Sequence, residues 1–361
     1  MLITILAFIL VIGILVLVHE LGHFTAAKLL GVKVLEFAIG FPPRIFTKTK
    51  NGTKYTIGAL LFGGYVKMLG EEETSKDKAA FNNQRPRNRF IISIAGVFMN
   101  IVLAWVLITI GFSVGMTPIA TPSSDLPGIQ VKPQIFIAEI MPGTAAETAG
   151  LKIGDEILSV SFEGVVSPFL AAEQVTAFSA AHLGKEITLQ IKRNSTVIDE
   201  KFILSSDKTA PMGIAMIDQA TVRLPWYKAP GYAAREVYRT VVGTWDVLAR
   251  MFSKLFSTGK VSDEVGGPVA IFNLSGAAAR GGFAVLISFI AMLSINLAII
   301  NILPFPALDG GRALFIIFER LLRKRVVKEE VENMIHAIGF ILLILLILAI
   351  TYKDIVKIFH N

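Results

Sequence analysis

Ile14-Leu-Val-Leu-Val-His19-Glu20-Leu21-Gly22-His23-Phe24-Thr-Ala-Ala-Lys28 places three titratable side chains at the end of an otherwise apolar run. Residues 1–18 carry no charge and the helical pattern continues to Leu30, so one helix of about 20 residues or more, enough to cross hydrocarbon, fits. Further uncharged runs lie at 90–123, 281–307 and 337–351. The 361 residues are 53% hydrophobic and 17% charged, with a mean hydropathy of +0.63; soluble chains sit near 25% charged. These features predict an α-helical polytopic membrane protein with four transmembrane helices. No basic segment precedes the first run and no small-residue cleavage site follows it, so it is expected to be a retained helix rather than a signal peptide.

The net charge is +7, and its placement carries the information. Lys and Arg are dense from Lys28 to Arg89, between the first two spans, and again from Arg312 to Lys328, between the last two. The bias of these residues toward cytoplasmic loops predicts that both connections face inward, with both termini and the long 120–280 region extracytoplasmic. Because topology accounts for the charge, nucleic acid is not expected as a partner. Cysteine is absent, which excludes a disulfide framework and limits any metal site to N and O ligands.

Between the first two spans, Lys54-Tyr-Thr-Ile-Gly58-Ala-Leu-Leu-Phe62-Gly63-Gly64-Tyr-Val-Lys-Met68 has β-type residues on both sides of a glycine pair, which fits a hairpin or a curled strand pair. Irregular backbone at membrane depth is tolerated only where protein covers it or a wet cavity adjoins it, so a re-entrant β element beside a cavity is expected. Residues 124–222 read as one α+β domain of ordinary size. The helical spacing of Val237, Trp245 and Phe252, interleaved with Arg235, Arg239 and Arg250, fits an amphipathic helix on a membrane surface or packed against the soluble domain. The expected organisation is a first span over 1–30, a cytoplasmic and re-entrant β region over 31–89, a second span over 90–118, the soluble domain over 124–222, and an amphipathic helix with linker over 230–280. A third span over 281–312, a cytoplasmic amphipathic helix over 313–333 and a fourth span over 334–352 complete it.

His19 and His23 are four residues apart, so on a helix they share a face and can meet one ion. Glu20, next to the first imidazole, sits where it can take a proton from water activated by a metal such as zinc. A pair of helix histidines with unrelated partners is the bland alternative, but ionisable groups inside a span are costly and usually functional. A catalytic zinc takes three protein ligands and keeps one position open. Asn301-Ile-Leu-Pro304-Phe-Pro306-Ala-Leu-Asp309-Gly-Gly offers the third, in a span broken by two prolines; alternatively Asp309 caps the following helix. His182, His336 and His360 fit no ligand spacing and are expected in surface or interfacial roles.

His19-Glu-Leu-Gly-His23 together with Asn301-x-x-Pro-x-Pro-x-Leu-Asp-Gly310 resembles the site-2 protease family of intramembrane zinc metalloproteases, and most closely its bacterial regulatory branch, which trims anti-sigma factors and remnant signal peptides. The resemblance implies one Zn(2+) on His19, His23 and Asp309, Glu20 as catalytic base, and Asn301 as a substrate or oxyanion contact. It implies that Gly58, Phe62, Gly63 and Gly64 belong to a β element receiving unwound substrate, and that Asn100, in Ala95-Gly-Val-Phe-Met-Asn100, supports this element or the catalytic asparagine. The soluble domain resembles a PDZ domain through Phe136-Ile-Ala-Glu-Ile-Met-Pro142-Gly-Thr-Ala-Ala and Gly-Leu151-Lys-Ile-Gly-Asp155-Glu-Ile-Leu, with Met212, Gly213 and Ile214 at its peptide-binding loop. The implied partners are single-pass membrane proteins already shortened by another protease, in a bacterial cytoplasmic membrane, with the catalytic site toward the cytoplasm. A metal-dependent transporter or channel, or a non-catalytic adaptor working through its PDZ domain, would use the same residues differently.

Overall fold

The computed structural model describes the chain apart from residues 72, 74, 122–125, 127–128, 142, 170–171, 194–195, 207–209, 259–266, 324–326, 328 and 361. Pro142, Lys328 and the side chain of Phe62 therefore lie outside the described set. The chain divides into two compact units, one of residues 1–112 with 226–361 and one of residues 113–225.

In the first unit, α1 (Leu2–Leu29) buries Thr4, Ala7, Val11, Leu15, His19, Gly22, His23 and Ala27, one stripe at helical spacing. β1 (Val34–Lys50) and β2 (Thr53–Met68) follow. Their turn falls at Asn51-Gly52, with φ of 51° and 75°, the left-handed pair that a two-residue hairpin turn requires. Of the two expected arrangements at the glycine pair, the hairpin is corrected, since Gly63 and Gly64 lie inside β2, and the strand curls instead, with Ile57 and Gly64 both pairing with Ile39. Phe37 has partners on both sides, Tyr55 and Val66, so the first half of β1 runs between the start and the end of β2.

α2 (Pro86–Val114) buries Ile92, Ser93, Gly96, Asn100 and Ala104 along one face. Its buried Arg89 donates to Glu319 over 2.8 Å, while Arg312 pairs with Glu71. Both guanidiniums stack on the Phe81 ring. These contacts join the start of α2 to the end of β2 and to the helix that follows Asp309.

The second unit contains β3 (Ile129–Ile140), α3 (Ala145–Thr148), β4 (Glu156–Phe162), β5 (Val165–Pro168), α4 (Ala172–Ala181), β6 (Glu186–Arg193), β7 (Thr196–Ile203) and β8 (Ile214–Arg223). They form one sheet in the order β7-β6-β4-β3-β8, with β5 on β4. Ile135, Ile137, Val160, Leu189 and Ile191 alternate inward and fill its core.

The chain then returns to the first unit with α5 (Ala229–Thr258), α6 (Pro268–Arg280) and α7 (Phe283–Ile302). α6 replaces what the sequence offered only as linker; Pro268 opens it, where a missing N–H costs nothing. α7 ends at Ile302 because Leu303, which precedes a proline, is extended. α8 (Asp309–Leu322) starts at Asp309, earlier than the expected amphipathic helix at 313, and Leu308 occupies its cap position. Asp309 is therefore not the cap. α9 (Glu329–His360) closes the chain. Among the described residues, four helices are long and apolar enough to cross a membrane: α1, α2, α7 and residues 330–356 of α9. The protein is thus helical with four candidate spans and additional β-sheet.

Candidate metal centre

The α1 stripe delivers His19 and His23 side by side. Their Nε2 atoms are 3.3 Å apart, and Asp309 Oδ2 lies 3.2 Å from the first and 3.3 Å from the second. These three atoms form the one cluster of potential metal ligands among the described residues. The triangle fits zinc: bond lengths of about 2.0–2.1 Å in a tetrahedral arrangement hold donor atoms about 3.3–3.4 Å apart.

The surrounding hydrogen bonds point the same way. His23 Nδ1 lies 2.8 Å from the Ile92 carbonyl oxygen, an acceptor only, so Nδ1 carries the proton and the neutral ring turns an Nε2 lone pair to the centre. Asn100 Nδ2 lies 3.2 Å from His19 Nδ1, while Asn100 Oδ1 has no partner, so turning the amide over satisfies both side chains. With the amide oxygen toward His19, Nδ1–H gains an acceptor, and its Nε2 also faces inward. The Asn100 carbonyl in turn accepts from Ser294 Oγ over 2.8 Å, which anchors α2 to α7. Asp309 Oδ2 is buried and receives no hydrogen bond. Two imidazole lone pairs and a carboxylate oxygen turned on one point leave an uncompensated site that a cation satisfies.

Glycines make room for this approach. A Cβ at Gly96 would lie 2.6–2.7 Å from His19 ring atoms and would also strike His23. One at Gly22 would meet the Ala95 backbone, 2.8 Å from its carbonyl carbon. Gly310 and Gly311 let α8 start directly against the carbonyls of Ile302 and Phe305.

The centre opens on a cavity of about 330 Å³ lined also by Glu20, Tyr65, Val66, Met68, Asn301, Arg312 and His336. Asn301 Nδ2 lies 3.5 Å from His19 Nε2. Of the β residues singled out in the sequence, Gly64 comes nearest, a Cβ there falling 3.3 Å from Glu20 Cγ; Gly58 and Gly63 pack instead against Phe41. Asn100 meets His19 rather than the cavity. Tyr65, Val66, Met68 and His336 were not singled out as site residues. The strand residues belong to the β2 end beside the glycine pair, a usable signal; His336 gave none, because its contact crosses between helices.

In the second unit a groove of about 750 Å³ runs between α4 and β8, lined by Thr176, Ala177, Met212, Ile214 and Met216. β8 is an edge of the sheet. Gly213 does not line it, and its N–H is already donated to Ala210 O over 3.0 Å.

A model of peptidase family M50 matches residues 7–346. A provisionally named zinc metalloprotease of Clostridium acetobutylicum is 37% identical, over 98% of this chain and 96% of its own length. One from Clostridium perfringens is 34% identical over 95% of each chain. The zinc metalloprotease RasP of Oceanobacillus iheyensis is 30% identical over 99% of each.

Proposed function

The chain belongs to peptidase family M50 and is a zinc metalloprotease, and from that premise we propose that it is an intramembrane endopeptidase cutting single-pass proteins within their membrane-spanning segments. The observation that carries this reading is that two corners of the His19, His23 and Asp309 triangle sit inside α1, a candidate span, so that hydrolysis takes place at membrane depth.

Zinc held there supplies Lewis acidity, lowering the pKa of water to about 7 and polarising a carbonyl. Glu20, on the cavity wall beside His19, takes the proton from the attacking water and passes it to the leaving amine. Asn301, reaching the same space through an amide N–H, donates to the oxygen on which charge develops. A substrate helix hides its carbonyls in its own hydrogen bonds and must be extended before attack. The last stretch of β2, with Tyr65, Val66 and Met68 on the cavity, pairs on one side with β1 and with no strand on the other among the described residues. That free edge takes the extended segment as an added strand.

The second unit acts as a PDZ domain, its groove between α4 and β8 receiving the C-terminus left by an earlier cleavage. The membrane is the bacterial cytoplasmic membrane, with both termini and this unit outside and the metal centre toward the cytoplasmic side, as the Lys and Arg distribution supports. Anti-sigma factors and remnant signal peptides are the substrate classes. Glu20→Gln separates this reading from a transporter or an adaptor. It is expected to retain zinc while cleavage of a model transmembrane substrate falls about 10²–10⁴-fold; unchanged cleavage, or metal flux with no peptide product from wild type, overturns the assignment.

A further inference from the structure

Asp309 is the first residue of α8 and is presented by the irregular turn that leads into the helix, not by a helix interior. Within that turn Leu308 N–H donates to Phe305 O and Gly311 N–H to Leu308 O, each over 3.1 Å. Ala307 is left-handed, with φ of +78°, a conformation an alanine rarely adopts unless something holds it. Its N–H is bonded from outside the turn, to His336 Nδ1 on α9 at 2.9 Å. Because Nδ1 accepts, the neutral ring carries its proton on Nε2. The ring also meets Phe315 of α8 edge to face, with centroids 5.8 Å apart.

A second contact reinforces the first. Gly339, three residues on and on the same helix face, lies so close to the turn that a Cβ there would fall 2.5–2.7 Å from Pro306 Cβ, O and C. General packing of α9 does not explain these contacts, since only 6% of its apolar window is buried. α9, whose Asp354 also accepts from the Gly267 and Ala270 N–H groups at the start of α6, touches the ligand-bearing turn through a histidine and a glycine.

We propose that His336 is a positioning residue for the metal site: its Nδ1 holds Ala307 in the left-handed conformation and so aims the Asp309 carboxylate, two residues on, at His19 and His23. The inference rests on the zinc metalloprotease reading of the triangle but not on which bond the enzyme cuts.

The test uses the full-length protein in detergent, with zinc affinity measured by chelator competition and with kcat and KM on a model transmembrane substrate. His336→Phe keeps ring bulk and the Phe315 contact but has no acceptor. It should weaken zinc binding about 10–100-fold, as removal of outer-shell partners typically does, and lower kcat with KM unchanged. His336→Asn places an amide oxygen close to where Nδ1 was and should bind zinc close to the wild-type value. Wild-type zinc affinity in His336→Phe overturns the proposal, as does a loss in His336→Asn equal to that in His336→Phe, which would assign the role to ring packing. Should wild type bind zinc yet cut no membrane span, the intramembrane assignment fails while the affinity comparison still decides the role of His336.

Discussion

Two aspartates, one in each unit, have opposite surroundings. Asp155, 1% exposed, receives Arg193 Nε at 2.8 Å, Arg193 Nη2 at 2.6 Å and the Lys152 backbone N–H at 2.8 Å. Asp309 has an oxygen closed off from solvent that faces two imidazole nitrogens and receives no hydrogen bond. Burying a charge is tolerated when donors surround it and costly when they do not. The satisfied carboxylate is architecture, fastening β4 to the end of β6; the unsatisfied one is left with a charge that a cation could compensate. The first should be dispensable for chemistry, the second for folding.

The largest expected effect breaks the comparison at Asp309. Asp309→Asn keeps the shape and removes the charge, so zinc content measured by atomic spectrometry and cleavage of a transmembrane substrate should both fall to background, while the unfolding curve matches that of metal-free wild type. A variant that keeps its zinc would mean that the triangle is not the metal site. Next comes Asn100→Leu, which leaves all three ligands but removes the partner of His19 Nδ1. Zinc affinity should fall about 10–100-fold, the usual cost of losing a partner that fixes ring orientation. An unchanged affinity would limit Asn100 to joining α2 and α7 through Ser294.

The same contrast explains how much could be read beforehand. His19 and His23 are legible because a helix maps a spacing of four onto one face, whatever surrounds it. Asp309 is legible through its punctuation, Pro304 and Pro306 before it and Gly310 and Gly311 after it, which mark a break in an apolar span. His336 is not, since its Nδ1 accepts from a backbone N–H and any residue could supply that N–H. Asn100 reads as a support for the β element or the catalytic asparagine and instead meets His19, because a sequence does not say which neighbour an amide meets. The glycine pair leaves hairpin and curled strand open because glycine permits both, whereas the actual turn, Asn51-Gly52, carries the stronger turn signal in the charged Lys48–Lys54 stretch. α6 stayed hidden in a connection too short and too mixed to show a stripe.

The smallest effect sharpens the comparison from the Asp155 side. Burial raises the pKa of this carboxyl, but the Arg193 hydrogen bonds and the Lys152 N–H outweigh it and hold the group below its ordinary value. A group whose folded pKa is depressed stabilises the fold at pH above its unfolded value, near 3.9, and that stabilisation is lost as pH falls through the folded pKa. Hydrogen exchange in β4 and β6, corrected for the intrinsic pH dependence of amides, should therefore show constant opening free energy at neutral pH and progressive loosening below about pH 4. Arg193→Met should loosen these strands at neutral pH and flatten the acid response, because only Lys152 is then left to favour the ionised carboxyl against its burial. An acid response that survives in Arg193→Met would locate the titrating group elsewhere, and the second unit's buried aspartate would lose its claim to a purely structural role.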